Sequence, residues 1–340
     1  MVRVSYQELW DTLFRVLLGL GFEPDRGRLC AQLFADASRD GVSSHGLNRF
    51  PRFVSMIKRG IVDIRAVPKL VQGCGSLEQW NGEAGPGNLN AYACMGRAIE
   101  LSRRTGVACV ALGNTNHWMR GGSYGWQAAD AGVLGICWTN TLPNLPPWGT
   151  SDPRVGNNPL IIAVPRAEGH IVLDMAMSQF SYGSLANHRV RGELLPVDGG
   201  FDRKGQLTRD PGAIEESQRP LPIGFWKGSG LALMLDLFAA ILSGGLATHQ
   251  IAADPERETS VSQVFIALDP SRFDPQINIS LIASQIIEHF QSSRSSHDRV
   301  RYPGQRVLET RRKNLTDGVP VDPNIWREVQ SISLDLSAER

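Results

Sequence analysis

The sequence has no uninterrupted run of about 18 apolar residues, the length that a membrane-spanning helix needs. Its first residues, MVRVSYQELW, lack the basic start, apolar stretch and small-residue cleavage site of a secretory signal. Five cysteines without C-x-x-C spacing are not typical of a disulfide framework or a zinc site, and they are Cys30, Cys74, Cys94, Cys109 and Cys137. We therefore expect a cytoplasmic protein with no membrane partner and no bound metal.

An excess of one charge sign is also absent. Lys and Arg total 35 and Asp and Glu total 34, which gives a formal net charge of +1. Nucleic-acid binding needs a basic excess or a basic stripe, so we expect no nucleic-acid partner. The 340 residues are 42% hydrophobic and 20% charged, a composition that excludes disorder and predicts one large globular domain or two smaller ones.

Several cofactor and metal motifs are missing as well. The G-x-G-x-x-G dinucleotide fingerprint does not occur, because Leu233 stands where Gly228-Ser229-Gly230 would need a third glycine. Walker A, H-E-x-x-H and EF-hand loop patterns do not occur either. The sequence therefore excludes a standard Rossmann dinucleotide site and the common nucleotide-binding and metal-binding loops.

The residues that are present predict an α/β fold, a sheet covered by helices. Ser5 with Glu8 three residues later is typical of a helix N-terminus. Further helices are predicted at Arg26–Arg39, from about Leu47, and at Asn88–Arg104, Ser123–Asp130 and Gly228–Leu242. Strands are predicted at Lys69–Gln72, Leu77–Trp80, Val107–Leu112, Gly132–Trp138, Leu160–Val164, Ile171–Met175 and Val264–Leu268. We expect three segments: helical residues 1–65, an α/β unit at 66–275, and C-terminal helices at 276–340 that pack with the first segment.

A histidine and an arginine lie four residues apart in SSHGLNR. If a helix begins there, His45 and Arg49 share one face, about 6 Å apart at the backbone. The pair suits a small oxo acid, since the guanidinium can hold a carboxylate and the imidazole can give a proton to the neighbouring carbonyl. The alternative is a histidine capped by Ser44 beside a solvated arginine.

Two further polar segments follow predicted strands. The turn Asn114–Gly122 contains His117 and lies beyond a strand end, where ligand sites of α/β proteins cluster; the alternative is an ordinary polar loop. The stretch Gly121–Gly125 matches the G-x-S-x-G elbow of serine hydrolases around Ser123. A long polar turn separates Ser123 from its strand, which disfavours that elbow.

Two other segments have the chemistry of a cofactor site. Trp226-Lys227-Gly228 leads into an apolar helix, where free backbone N–H groups and a lysine can hold phosphate; a glycine-rich surface turn is the alternative. Asp174 closes an apolar strand, which places a carboxylate at a strand end, although a turn aspartate is the usual explanation.

Together these residues resemble a known family. The motifs that carry the resemblance are SSHGLNRFPRF, NHWMRGGSYGWQAA, CWTN, PPWG, GNNPL, LDMAMSQFSYG, LPVDGGFD, GFWKGSGLALMLD and YPG. They are similar to the type-2 malate/L-lactate dehydrogenase family over residues 4–332, and NHWMRGGSYGW is typical of the branch that reduces 2,3-diketo-L-gulonate. The resemblance implies a non-Rossmann NAD(P)-binding domain with a mixed sheet, and a homodimer with its active site near the subunit interface. It also implies a role in carbohydrate catabolism.

The resemblance also assigns residues. It implies that His45 is the proton donor and that Arg49 and His117 bind the 2-oxo acid. The cofactor-binding residues that it implies are His170, Ile171, Val172, Leu173, Asp174, Met175, Ala176, Trp226, Lys227, Gly304, Gln305 and Arg306. Where the family commonly has an acidic residue after the late Pro-Gly, this chain has Gln305-Arg306. We therefore expect NADH as cofactor, with NADPH also accepted.

Three functions remain open from the sequence. The first is NAD(P)H-dependent reduction of a sugar-derived 2-oxo acid, with other 2-oxo acids of the malate and lactate type as alternative substrates. The second is hydrolysis at Ser123. The third is a sugar-acid binding protein that keeps the carboxylate clamp without turnover.

Overall fold

The computed structural model describes residues 2–293 and 300–338 and contains an α/β fold. Its helices are α1 (Tyr6–Gly19), α2 (Pro24–Arg39), α3 (Phe50–Lys58), α4 (Gly87–Thr105), α5 (Gly122–Asp130), α6 (Tyr182–Arg191), α7 (Pro211–Ser217), α8 (Trp226–Ser243), α9 (Ile279–Gln291), α10 (Gln305–Asp317) and α11 (Pro323–Ala338). Its strands are β1 (Val2–Val4), β2 (Lys69–Cys74), β3 (Leu77–Asn81), β4 (Val107–Thr115), β5 (Leu134–Thr139), β6 (Pro143–Leu145), β7 (Val155–Gly156), β8 (Leu160–Val164), β9 (Ile171–Met175), β10 (Gly200–Phe201), β11 (Leu207–Thr208), β12 (Val261–Leu268) and β13 (Val319–Val321).

Seven strands form the central sheet in the order β2-β3-β4-β12-β5-β8-β9. β3 pairs with β4 in parallel, and the other neighbours in this sheet are antiparallel. The sheet is therefore mixed, which confirms the fold that the resemblance implied. β4 and β12 lie at its centre and are apolar along most of their length, because helices cover both faces.

Different helices cover the two faces of the sheet. On one face α4 and α5 pack around a cluster that includes Met95, Trp118, Tyr124 and Phe265. On the other face α8 buries Ala232, Leu235 and Ala239 against Trp138 and Val264. By length and composition α8 could also cross a membrane, with a mean hydropathy of 1.3. The helix was predicted at Gly228–Leu242, and it is not an uninterrupted apolar run because it contains Asp236.

The N-terminal helices share a core with the C-terminal part of the chain. Ser5 caps α1 as predicted, since its hydroxyl accepts from the Glu8 N–H at 3.0 Å. α1 packs with α2 and with α11, and β1 pairs antiparallel with β13. The division into segments 1–65, 66–275 and 276–340 stays a prediction, and residues 294–299, 339 and 340 lie outside the described part of the chain.

Candidate active site

A cavity of about 880 Å³ lies where the N-terminal helices meet the sheet. His45, Arg49 and His117 lie on its wall together with residues of β9 and of the segment before α10. These three side chains come from two segments about seventy residues apart in the chain. The fold therefore brings together the proton donor and both substrate contacts that the sequence predicted.

His45 lies on a short connection rather than on a regular helix. Ser43–His45 and Leu47–Arg49 are two single 3-10 turns, and α3 begins only at Phe50. Gly46 between the turns has a φ of −106° and a ψ of −125°, so the expected single helical face for His45 and Arg49 is wrong. A Cβ on Gly46 would lie 2.2 Å from the Ser38 Oγ, so this close packing against α2 requires glycine.

Burial and neighbouring positive charges keep His45 neutral. Desolvation, followed by the positive charges of Arg49 and Arg120, lowers the pKa of His45 to about 4. Its Nδ1 and the Ser44 Oγ form a hydrogen bond of 3.0 Å, which leaves Nε2 as the ring nitrogen available to a ligand. The imidazole is thus oriented by its neighbour in the chain.

His117 lies on the turn that follows β4, the position expected for a ligand site at a strand end. Its Nδ1 accepts a hydrogen bond of 3.0 Å from the backbone N–H of Met119. That contact is possible because Met119 adopts a left-handed conformation with a φ of 63°. Burial, with the charges of Arg49 and His45, lowers the pKa of His117 well below its usual value.

Arg49 faces a carboxylate of the protein itself. Its Nη2 lies 3.5 Å from the Glu258 Oε2, and the Arg49 side chain is 19% exposed while that of Glu258 is 6% exposed. Burial raises the pKa of Glu258, and the Arg49 charge opposes this rise. The guanidinium is held beside the cavity by an ion pair that is long enough to leave it free for a substrate carboxylate.

Asp40 connects three elements around the site. Its carboxylate accepts hydrogen bonds from Arg39 at 2.9 Å, from Arg120 at 2.6 Å and from Arg311 at 2.8 and 2.7 Å. Burial would raise the pKa of Asp40, but the hydrogen bond from Arg311 and the other guanidiniums hold it well below its usual value. Arg311 also lies over the ring of Trp126, 4.5 Å from its centroid. The network therefore ties α2 to the His117 turn and to α10.

Part of the predicted cofactor-binding set lines the same cavity: Val172, Leu173, Asp174, Ala176 and Gly304. Gly304 has a φ of 92°, and a Cβ there would lie 3.0 Å from the Val172 N, so only glycine allows this approach of α10 to β9. Among the described residues, the buried Arg120 Nε has no hydrogen-bond partner. An apolar strand, a close backbone turn and an unpaired donor fit the nicotinamide half of a dinucleotide.

The remaining predicted cofactor residues lie away from the cavity wall. His170 bonds Asp130 at 2.9 Å on the outer surface, and Met175 packs between α8 and the sheet. Trp226 is 67% exposed at the start of α8. Ile171, Lys227, Gln305 and Arg306 also lie off this wall. None of these seven residues lies on the cavity wall, although His170, Ile171, Met175 and Gln305 adjoin the other five in the chain.

Ser123 does not lie directly after a strand, where the nucleophile elbow of a serine hydrolase is expected. It is the second residue of α5, and six residues separate this helix from the end of β4. Ser123 also does not line the cavity that contains His45 and His117. The G-x-S-x-G match is therefore only a pattern in the sequence.

Three residues that sequence reasoning did not assign lie at the site. Ser44 hydrogen-bonds to His45 and orients its ring, and the positive charge of Arg120 lowers the pKa of His45. Glu258 forms an ion pair with Arg49. Ser44 and Arg120 stand inside the motifs that carry the family resemblance, so those motifs could have pointed to them. Glu258 has no such signal, because its partner is 209 residues away.

Comparison with known proteins gives consistent results. The model of the malate/L-lactate dehydrogenase family matches residues 4–330. The 2,3-diketo-L-gulonate reductase of Pasteurella multocida is 44% identical over 333 residues, which cover 97% of this chain and all of that protein. A protein of the same description from Escherichia coli is 41% identical with the same coverage.

Solved structures of similar proteins share the fold. Sulfolactate dehydrogenase from Methanocaldococcus jannaschii matches with a TM-score of 0.90 and 26% identity, covering 99% of this chain and 98% of that one. The Δ1-piperideine-2-carboxylate reductase from Pseudomonas syringae matches with a TM-score of 0.86 and 28% identity, covering 98% of this chain and all of that one. These similarities favour a dehydrogenase or reductase and give no support to a hydrolase.

Proposed function

The chain belongs to the malate/L-lactate dehydrogenase family, and from this membership we propose that it reduces 2,3-diketo-L-gulonate to 3-dehydro-L-gulonate, with His45 as proton donor. It is an oxidoreductase that acts on a 2-oxo acid, and relatives at 41–44% identity over the whole chain carry the name of this reductase. The observation that carries the residue roles is that His45, His117 and Arg49 meet on one cavity wall.

Arg49, His117 and His45 each have a different role in the reduction of a 2-oxo acid. A nicotinamide cofactor held along Val172, Leu173 and Gly304 would supply the hydride for the C2 carbonyl. Arg49 holds the C1 carboxylate with its guanidinium, and His117 lies beside His45 to contact the oxo group. His45 gives a proton from Nε2 to the oxygen as charge develops on it.

Substrate binding prepares His45 for this step. Before substrate binds, the imidazole is neutral because burial and the Arg49 charge lower its pKa. A carboxylate bound at Arg49 cancels that charge and brings a negative charge close to the ring, so the pKa of His45 rises. Proton donation is therefore coupled to the presence of the substrate's carboxylate.

The cofactor is proposed to be NADH, with NADPH accepted. Gln305 stands where the family commonly has an acidic residue, and its Nε2 donates to Glu309 at 3.1 Å. Gln305 carries no charge that would repel a 2′-phosphate, and Arg306 is exposed beside it. Discrimination between the two cofactors is therefore expected to be weak.

We propose that the protein is a homodimer. α8 packs one face on the sheet and leaves apolar side chains exposed on the other, namely Leu233, Met234, Leu237, Phe238 and Ile241. Such a contiguous apolar face is typical of an interface between subunits. Trp226 and Lys227, which the resemblance places at the cofactor, lie at the start of this helix and off their own cavity wall. We propose that these two residues serve the cavity of the second copy.

Light scattering of the native protein and of Phe238→Glu tests the homodimer. We expect the native mass to be twice that of one chain, 37.3 kDa, and the variant to be shifted to the monomer. A native protein that is monomeric at micromolar concentration would contradict the proposal.

We also propose a cytoplasmic location. The cysteines of the chain are all free, which supports this location.

The assay of the function is the loss of NADH absorbance on addition of a 2-oxo acid. A panel of 2,3-diketo-L-gulonate, oxaloacetate and pyruvate, each with NADH and NADPH, identifies the substrate. We expect the diketo sugar acid to give the largest kcat/KM. Absence of NADH and NADPH oxidation with every acid would contradict the function, while a preference for oxaloacetate or pyruvate would contradict the substrate.

A further inference from the structure

Two ion pairs connect the start of α3 with the segment before β12. The outer pair joins Arg52 Nε to Glu256 Oε1 at 2.6 Å, and both side chains are more than a third exposed. The inner pair joins Arg49 Nη2 to Glu258 Oε2 at 3.5 Å, and Glu258 is buried on the cavity wall. The two glutamates thus face the same helix, but only the inner one lies at the cavity.

Glu258 has unused capacity to accept hydrogen bonds. The contacts described for its carboxylate are the Arg49 ion pair at 3.5 Å and a hydrogen bond from the Leu142 N–H at 3.4 Å. Both distances are at the long end of the hydrogen-bond range, and two carboxylate oxygens can accept about four bonds. A buried carboxylate with weak partners is costly, so a ligand that brings donors to it gains binding free energy.

The charges around Glu258 favour one kind of donor. The inner pair of Arg49 and Glu258 carries no net charge, and the outer Glu256 lies between Arg52 and Arg59. A monocarboxylate adds one negative charge, which the guanidinium of Arg49 can accommodate. Once a substrate carboxylate has taken up the charge of Arg49, a second carboxylate beside Glu258 would meet an unbalanced negative charge and be repelled, whereas a hydroxyl group there would donate a hydrogen bond to Glu258.

We propose that Glu258 determines substrate specificity: it accepts a hydrogen bond from a hydroxyl of the substrate's carbon chain and excludes substrates that carry a second carboxylate. This role rests on the proposed function and narrows it to polyhydroxy 2-oxo acids with one carboxylate. A residue that only held Arg49 in place would affect every 2-oxo acid equally, since all of them present a carboxylate to Arg49.

The test measures binding of two 2-hydroxy acids to the protein with NADH by titration calorimetry. L-gulonate is a polyhydroxy monocarboxylate, and L-malate is a dicarboxylate. Neither acid reacts in this mixture, because the 2-hydroxy acid and NADH are both in their reduced forms. The variant is Glu258→Gln, which keeps the shape of the side chain and removes its charge. Glu256→Gln is the matched control, because it removes a glutamate from the same segment outside the cavity.

We expect the native protein to bind L-gulonate more tightly than L-malate. Glu258→Gln should weaken the binding of L-gulonate about tenfold, because a charge-assisted hydrogen bond is lost. It should strengthen the binding of L-malate about tenfold, because a charge repulsion is lost. Glu256→Gln should change both by less than about twofold, as is usual for an exposed ion pair. Equal changes for both acids in Glu258→Gln would overturn the proposal.

A second variant covers the case in which Glu258→Gln does not fold. Glu258→Asp keeps the charge but shortens the side chain, so it should weaken the binding of L-gulonate while L-malate still binds poorly. Tight binding of L-malate to Glu258→Asp would overturn the proposal. The binding ratio is independent of catalysis. A protein that oxidises neither NADH nor NADPH with any 2-oxo acid would contradict the proposed function, and the two failures are distinguishable.

Discussion

The imidazole rings of His45 and His117 stack, with their centroids 5.6 Å apart and 21° between their planes. Two buried rings at this distance cannot both become imidazolium without strong repulsion, and a positive charge on His45 lowers the pKa of His117. The pair therefore takes up at most one added proton. We assign that proton to His45, the proposed donor, whose ring Ser44 orients.

Replacement of His45 by Ala should reduce kcat and kcat/KM by a similar factor, about 10² to 10⁴, because general acid catalysis is lost only in the transition state. Binding of NADH should change little, since His45 lies at the substrate end of the cavity with Arg49 and His117. Steady-state kinetics and fluorescence titration with NADH measure the two effects. A change confined to KM would show that His45 only binds substrate.

Replacement of Arg49 by Lys should be poorly tolerated, because an ammonium cannot hold a carboxylate in two parallel hydrogen bonds. The loss of kcat/KM should be large for 2-oxo acids and much smaller for uncharged ketones or aldehydes that the protein turns over. Arg52→Lys is the matched control three residues further along the chain, since Arg52 is engaged with Glu256. Equal losses for charged and uncharged substrates would contradict the role of Arg49 as a carboxylate clamp.

The local parts of this structure could be predicted from the sequence. Helical spacing and the Ser5 cap predicted α1, and Pro51 lies in the first turn of α3, where proline is tolerated. The position of His117 after a strand followed from a general rule about strand ends. The break at Gly46 could not be predicted, because it depends on close packing against Ser38 of α2.

Ion pairs between residues far apart in the chain could not be predicted from the sequence. Asp40 meets Arg311 across 271 residues and Arg49 meets Glu258 across 209, and periodicity carries no information about such partners. Only some of the cofactor residues that the resemblance assigned line the cavity of one copy of the chain. One copy of the chain brings Asp174 and Gly304 to the cavity, but it leaves Trp226 on an apolar face that we propose a second copy covers.

The stability of the protein should depend on pH through the two buried histidines. The pKa of His45 is about 4 in the folded chain and about 6.5 in the unfolded chain, so the unfolded state binds the proton more tightly. The stabilisation is complete above pH 6.5 and is lost as the pH falls from there towards 4. His45→Gln should therefore flatten the rise in stability across this window.

Urea unfolding at several pH values between 4 and 7 measures this dependence in the native protein and in His45→Gln. His188→Gln serves as the control, because His188 lies on α6 and its Nδ1 bonds the Ser184 carbonyl outside the His45 cluster. If His45→Gln kept the full native slope, the imidazole would have to be charged in the fold, contrary to its buried surroundings.

Loss of the Asp40 charge should disturb substrate and cofactor binding together. In Asp40→Asn the guanidiniums of Arg120 and Arg311 lose their shared partner, so the His117 turn and α10 are no longer held to α2. We expect kcat/KM to fall by about tenfold to a hundredfold and NADH to bind more weakly.

Asp36→Asn is the matched control for Asp40→Asn. Asp36 lies one turn earlier on α2 and bonds Arg39 and Tyr6, but neither Arg120 nor Arg311 among the described contacts. It should lower the melting temperature while kcat/KM of the folded protein is kept. If both variants lost activity only in proportion to their loss of stability, Asp40 would have no positioning role.

Cofactor preference should respond to Arg306, the second residue of α10 and exposed beside Gln305. An arginine near the adenosine ribose accommodates a 2′-phosphate, whereas a carboxylate there repels it and binds the ribose hydroxyls. Arg306→Glu should therefore lower the ratio of kcat/KM for NADPH to that for NADH, mainly through weaker use of NADPH. Arg312→Glu makes the same charge change further along α10 and should leave the ratio as it is. A ratio that is unchanged in Arg306→Glu would show that this segment does not contact the ribose.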